Sequence, residues 1–74
     1  MKGSEFLRKL KGLARRRGVP VVFDKKHGKG SHGTLTYGER RTTLKDPKKE
    51  IGKGLLNAML SDLGLTKDEL DRGE

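Results

Sequence analysis

The sequence predicts an α+β fold: a helix, a three-stranded antiparallel sheet and a second helix. Three observations predict it: apolar residues recur at helical spacing near both ends, apolar and polar residues alternate in the middle, and glycine-containing turns separate the alternating segments. Each predicted helix has one apolar face. We therefore expect the helices on one sheet face, leaving the other face open to solvent.

The first helix is predicted over residues 5–17. Ser4 is a suitable N-cap, and Gly18 follows three arginines that suit the carboxyl end of a helix dipole. One helix face is apolar and the other is cationic; the members are Phe6, Leu7, Leu10, Leu13 and Ala14 on the first, and Arg8, Lys11 and Arg15 on the second. The apolar face should pack. The cationic face is either simply solvated or binds an anionic partner.

Three strands are predicted over residues 19–25, 31–37 and 40–45, with Pro20 tolerated only near a strand start or on an edge. Between the second and third strands, Gly38-Glu39 suits a two-residue type II′ hairpin loop. Such a loop sets the register. It pairs Tyr37 with Arg40, and counting back places His32 opposite Lys45.

The second helix is predicted over residues 53–63, closed by Gly64. Its apolar stripe is typical of core packing and consists of Leu55, Leu56, Met59, Leu60 and Leu63. Thr66 and Glu69 form a capping-box pattern for a short final turn. The sequence thus predicts one domain over residues 1–74, with a short polar C-terminal tail from about residue 66.

The charge distribution favours an anionic partner. The net charge is +8, with fifteen Lys and Arg against four Asp and Glu in residues 1–49 and three against six in residues 50–74. Such a field concentrates polyanions near the surface, although an anionic membrane surface or an acidic protein would suit it as well. The longest apolar run, residues 19–23, is far below the roughly 20 residues of a membrane helix. No secretory signal is evident and the chain has no cysteine, so we expect a cytoplasmic protein without a membrane partner.

The glycine-rich turn over residues 27–33 holds the candidate acid/base residue. If Leu35 and Leu44 face the helices, strand alternation directs His32 to the open face. Directly opposed side chains have Cβ atoms about 4.5–5.5 Å apart, so Lys45 would stand beside His32 if no bulge intervenes.

These residue types suit RNA cleavage. The ribose 2′-OH must lose a proton as it attacks phosphorus, the leaving 5′-oxygen must gain one, and the phosphoryl charge must be neutralised. A histidine performs either proton transfer at neutral pH. Cations and glycine backbone N–H groups neutralise the charge. The RNA- and phosphate-binding candidates are Lys29, Gly30, Ser31, Arg41 and Lys45.

Other chemistries are poorly supported. His27 is a weaker candidate for an acid/base pair because it lies across a flexible turn. The two histidines are five positions apart with only Asp24 nearby, which is not a recognisable metal-ligand set, so we predict no metal and no cofactor.

The order of motifs resembles the HicA family of bacterial and archaeal toxins. The resemblance runs from the helix start SEFL at 4–7 to residue 65, through GKGSHG at 28–33, TLTYGERRTTLK at 34–45, KEIGKGLL at 49–56 and MLSDLGL at 59–65. It implies a fold similar to the double-stranded-RNA-binding domain. It also implies the toxin of a toxin–antitoxin stress-response system: a metal-independent endoribonuclease that cleaves mRNA, arrests translation and growth, and is neutralised by a HicB-type antitoxin.

Carried over by motif, the family's catalytic histidine is His32. Many members have a second histidine or another larger residue after it, whereas this chain has Gly33. His32 is then the single catalytic side chain that the resemblance implies.

The alternative is a non-catalytic double-stranded-RNA-binding module. It would have the same order of elements and the same basic field, and it would bind duplex RNA by shape without cutting it.

Overall fold

The structure, a computed structural model, describes residues 1–24 and 33–72. The elements in chain order are α1 (Gly3–Arg17), β1 (Val21–Asp24), β2 (Gly33–Tyr37), β3 (Arg40–Leu44), α2 (Lys53–Leu63) and α3 (Lys67–Arg72). The strands form one antiparallel sheet in the order β1-β2-β3. This confirms the predicted α+β class with a three-stranded antiparallel sheet.

One face of the sheet is buried beneath the helices. Leu35, Tyr37 and Leu44 point into a core whose other buried members come chiefly from α1 and α2, including Phe6, Leu10, Leu13, Leu56, Met59, Leu60 and Leu63. Along β2 the side chains alternate between this core and the opposite side, where Thr34 is exposed. The open sheet face therefore exists as predicted.

Helix α1 begins two residues before its predicted start. Lys2, not Ser4, is its N-cap, and it makes no side-chain capping bond. Instead, the N–H of Gly3 donates to the carbonyl oxygen of Lys49 at 3.0 Å, and the N–H of Ser4 donates to that of Pro47 at 2.7 Å. A Cβ on Gly3 would meet Pro47 Cα at 2.8 Å, so glycine permits this approach. The loop before α2 thus supplies the partners that a capping side chain would have provided.

The carboxyl end of α1 explains why β1 begins two residues later than predicted. Gly18 has a left-handed φ of 67°, and the N–H of Val19 donates back to the carbonyl oxygen of Ala14 at 2.9 Å. This is a Schellman motif, and it uses Val19 as part of the helix end. The strand therefore begins at Val21.

The β2–β3 hairpin confirms the predicted turn and register. Gly38 has φ 60° while the second loop residue does not have positive φ, as in a type II′ turn and unlike type I′. The pairs run from Tyr37 with Arg40 to Gly33 with Leu44, without a bulge.

Helix α2 has the predicted bounds, but Leu55 is 43% exposed. At 100° per residue it lies at one end of the apolar arc, beside the buried Leu56, Met59, Leu60 and Leu63.

The chain after Gly64 differs from the predicted polar tail. The Thr66–Glu69 capping box forms as predicted: the N–H of Glu69 donates to Thr66 Oγ1 at 3.1 Å, and the N–H of Thr66 donates to Glu69 Oε1 at 2.9 Å. It opens a further helix, α3, whose Leu70 side chain is completely buried against the core. A single leucine in a polar sequence carries no periodicity, and only its burial shows that this segment belongs to the packed structure.

Candidate nucleic-acid interface

Most of the predicted site falls in a segment outside the described residues. This holds for the candidate catalytic His32, for the phosphate-binding candidates Lys29, Gly30 and Ser31, and for His27. The pairing of His32 with Lys45 therefore stays a prediction. Arg41 and Lys45 are the site residues that the structure places.

The open sheet face has threonine hydroxyls on its central strand, between an apolar residue on one edge strand and a cationic residue on the other. Its cross-strand rows are Val22–Thr36–Arg41 and Asp24–Thr34–Thr43. The central threonine hydroxyls can donate to and accept from a polar ligand. Apolar Val22, 57% exposed, lies on the β1 edge, and cationic Arg41 lies on the β3 edge.

This face has no Phe, Tyr or Trp on which a nucleobase could stack. The chain contains two phenylalanines, one tyrosine and no tryptophan, and Phe6, Phe23 and Tyr37 all pack in or against the core. Binding of a nucleic acid at the described part of this surface would therefore rest on phosphate and hydroxyl contacts rather than on stacking.

Arg41, on β3, and Lys45, directly after it, provide exposed positive charge. Neither side chain forms an ion pair with residues that the structure describes. Lys45 follows Leu44, which pairs with Gly33 at the end of the sheet where the chain enters β2. The positive charge of Lys45 is thus next to the start of β2 at Gly33, the residue that follows the candidate catalytic His32 in sequence.

The structure explains why glycine follows the candidate histidine. Gly33 belongs to the buried side of β2, and a Cβ there would meet Phe23 Cε1 at 2.7 Å and the Asp24 carbonyl oxygen at 3.0 Å. The Phe23 ring covers Gly33 as a diagonal cross-strand neighbour. A larger residue at this position would require Phe23 to move.

Two groups of cations line α1. Arg8, Lys11 and Arg15 are exposed, as the helical periodicity predicts. Lys9 and Arg17 instead contact α3, through Lys9 Nζ to Asp71 Oδ1 at 2.9 Å and Arg17 Nη2 to Glu69 Oε2 at 2.6 Å.

The contacts between α1 and α3 shift the pKa values of their partners. The bond to Arg17 lowers the pKa of Glu69, the bond to Lys9 lowers the pKa of Asp71, and the bond to Glu69 raises the pKa of Arg17. From its sequence position Arg17 is predicted only as a cation at the carboxyl end of a helix. The acidic residues that follow the capping residue Thr66 indicate a possible partner for a cation. Which cation they contact depends on how α3 packs against α1.

The described ranges contain no group of three or more His, Cys, Asp or Glu residues placed to hold a metal ion. Within residues 1–24 and 33–72, no helix is long and apolar enough to cross a membrane.

No protein-family model matches the sequence, and no curated protein or solved structure shows significant similarity to it. The resemblance to the HicA family is therefore carried by the order of motifs between residues 4 and 65.

Proposed function

We propose that this chain is a HicA-type toxin, an endoribonuclease that cleaves mRNA phosphodiester bonds. The observation that supports this most is the β2–β3 register. Its last described pair, Gly33 with Leu44, is one residue short of the predicted pairing of His32 with Lys45. On this proposal the fold is a variant of the double-stranded-RNA-binding domain whose open sheet face has a cleavage site at one end.

The proposed reaction uses the substrate's own ribose as nucleophile. His32 accepts the 2′-OH proton while the 2′-oxygen bonds to phosphorus, or donates a proton to the 5′-oxygen as the P–O5′ bond breaks. Solvent completes the other proton transfer. The products of this step are a 2′,3′-cyclic phosphate and a free 5′-hydroxyl.

The cations have the complementary task of stabilising negative charge. Lys45 and Lys29 are proposed to contact the phosphoryl oxygens of the scissile group, together with the backbone N–H groups of Gly30 and Ser31. Arg41 lies on β3, four residues before Lys45, and would contact a neighbouring phosphate. No metal ion is required in this scheme.

The proposed partners are mRNA and a HicB-type antitoxin that covers the site. Binding of such a partner to the folded state would also stabilise a domain with so small a core by mass action. An adjacent reading frame that encodes a short acidic protein would support this pairing.

The test is cleavage of an end-labelled transcript by purified protein in the presence of EDTA. We expect the wild type to cut and His32→Ala to be inactive, while His27→Ala, the matched histidine variant, retains activity. Circular dichroism and the thermal midpoint of each variant verify folding. Undiminished cleavage by folded His32→Ala would overturn the assignment of His32.

A non-catalytic duplex-RNA-binding function remains the second candidate because α1 presents Arg8, Lys11 and Arg15 to solvent independently of the glycine-rich turn. A protein of this kind shifts the RNA band in the same assay without producing fragments, and it prefers duplex to single-stranded RNA.

A further inference from the structure

Two arginines of the run at residues 15–17, at the end of α1, line a cavity. This cavity of about 250 Å³ lies between that helix end and α3, lined by Leu13, Arg16, Arg17, Glu69 and Arg72. Three guanidinium groups therefore share a cavity with one carboxylate. Since water occupies about 30 Å³ per molecule in the liquid, the cavity has room for a phosphate group with its hydration.

The arginines differ in how far their charge is compensated. Arg17 is held by Glu69, with its Nη2 2.6 Å from Glu69 Oε2. Arg16 donates from Nη1 to the neutral carbonyl oxygen of Arg72 at 2.8 Å, a bond that orients the guanidinium without neutralising it. The side chain of Arg72 forms no ion pair with the described part of the chain. Among the described residues, the cavity lining carries three positive charges and one negative charge.

We propose that this cavity is a second phosphate-binding site that holds the RNA backbone away from the cleavage site. The inference rests on the proposed function, since RNA is the ligand that it assigns. Guanidinium groups suit phosphate because they present paired N–H donors in a planar fork. With Arg17 already fixed and Arg16 oriented, part of the ordering cost of such a site is met before RNA binds.

The surroundings favour a phosphate over a protein partner. A protein interface usually has an apolar core, whereas the apolar residue in this cavity, Leu13, is itself buried. The exposed large apolar side chains among the described residues, Val22 and Leu55, are not in its lining. The remaining lining is charged.

The cavity is at the hairpin end of the sheet. Arg17 also lines a neighbouring cavity, of about 370 Å³, beside Tyr37, Gly38 and Arg40. Strand β2 rises about 3.3 Å per residue, so Tyr37 lies about 13 Å from Gly33, where the chain enters the strand. An RNA must therefore extend over several nucleotides to occupy both the cleavage site and this cavity.

Glu69 is the competitor within the site, because an incoming phosphate must share Arg17 with it. Glu69→Gln keeps an oxygen for the N–H of Thr66, as glutamine also serves in a capping box, but removes the competing charge. We therefore expect this variant to bind RNA more tightly, the opposite of what losing a structural ion pair alone would produce.

The test is RNA binding in a His32→Ala background, so that the RNA stays intact whether or not the wild type is a nuclease. The probes are an unstructured RNA of about 12 nucleotides and a dinucleotide. Arg16→Gln/Arg72→Gln is compared with Lys48→Gln/Lys49→Gln, which removes the same charge near the opposite end of α1, about 22 Å away. Arginine Nε–Hε NMR signals report direct contact.

We expect the 12-nucleotide RNA to shift the signals of Arg16, Arg17 and Arg72. The arginine double variant should weaken its binding about fivefold or more beyond the lysine variant and reduce the salt slope by about 1.4, the value for two phosphate contacts on a single strand. The dinucleotide should bind both variants alike.

The proposal is overturned by unmoved arginine signals at saturating RNA, or by equal losses in the two double variants. It is also overturned in favour of an acidic-protein site if a polyglutamate peptide shifts these signals and the RNA does not. Failure of the nuclease proposal appears separately, as absent cleavage by the wild type.

Discussion

Arg17 Nη2 lies 2.6 Å from Glu69 Oε2, and the other oxygen of the same carboxylate accepts the N–H of Thr66 at 2.9 Å. One side chain thereby begins α3 and attaches it to the end of α1. Together with Lys9 and Asp71, this contact places an acidic helix across part of a cationic one.

Protonation of Glu69 should weaken this attachment. Because Arg17 lowers the pKa of Glu69 in the folded state, the stabilisation is complete above the usual glutamate pKa and is lost as pH falls through the folded value. We expect the urea midpoint of the wild type to fall more steeply than that of Glu69→Gln between about pH 4.5 and pH 3. Asp71 is present in both proteins, so its contribution to the pH dependence cancels in the comparison. Asp68→Asn, which removes a carboxylate from the same helix, should follow the wild type; parallel curves for wild type and Glu69→Gln would contradict the prediction.

Leu70→Ala should destabilise the whole fold rather than release a tail. The side chain is fully buried, and truncating a buried leucine typically costs about 2–5 kcal/mol. Leu55→Ala, the matched change at a 43% exposed position, should cost less than about 1 kcal/mol. Urea denaturation measures both. Equal, small losses would show that α3 contributes little to the core.

Gly33→Ala should be destabilising because the new methyl group would overlap the Phe23 ring. Overpacking of this kind costs about 1–3 kcal/mol, and the cost should decrease in a Phe23→Leu background. Gly54 provides the control. Nothing lies within 4 Å of a Cβ at that position in the first turn of α2, so Gly54→Ala should be neutral or stabilise by up to about 1 kcal/mol. If Gly33→Ala lowers the free energy of unfolding equally with Phe23 and with Leu at position 23, the contact with Phe23 is not the cause.

Lys45 and Arg41 should affect cleavage differently. Lys45 is proposed to meet charge that develops in the transition state, so Lys45→Ala should lower kcat about a hundredfold. Arg41 is proposed to bind a neighbouring phosphate equally in ground and transition states, so Arg41→Ala should chiefly raise KM. Steady-state cleavage of a short RNA separates the two effects, with Lys48→Ala as the control. A kcat unchanged by Lys45→Ala would remove Lys45 from the reaction.

Local sequence patterns determined much of the fold. The helical stripe placed α2 at residues 53–63, Gly38 identified the hairpin turn, and strand alternation predicted which side of β2 is buried. These features depend on neighbours a few positions apart, so the sequence states them directly. The same alternation predicted a site on the open sheet face. The structure gives the positions of two of its predicted residues, Arg41 and Lys45, whereas His32 lies outside the described residues.

The tertiary structure decided what depends on distant partners. The loop before α2 caps α1 through the backbone of Pro47 and Lys49, which no capping pattern near Ser4 could indicate. Likewise, the burial of Leu70 and the direction of Glu69 follow from α3 packing on α1, more than fifty residues away in sequence. Sequence periodicity determines which face of an element is apolar. Tertiary packing decides which element covers that face and which charged side chains come into contact, because it brings together residues that are distant in sequence.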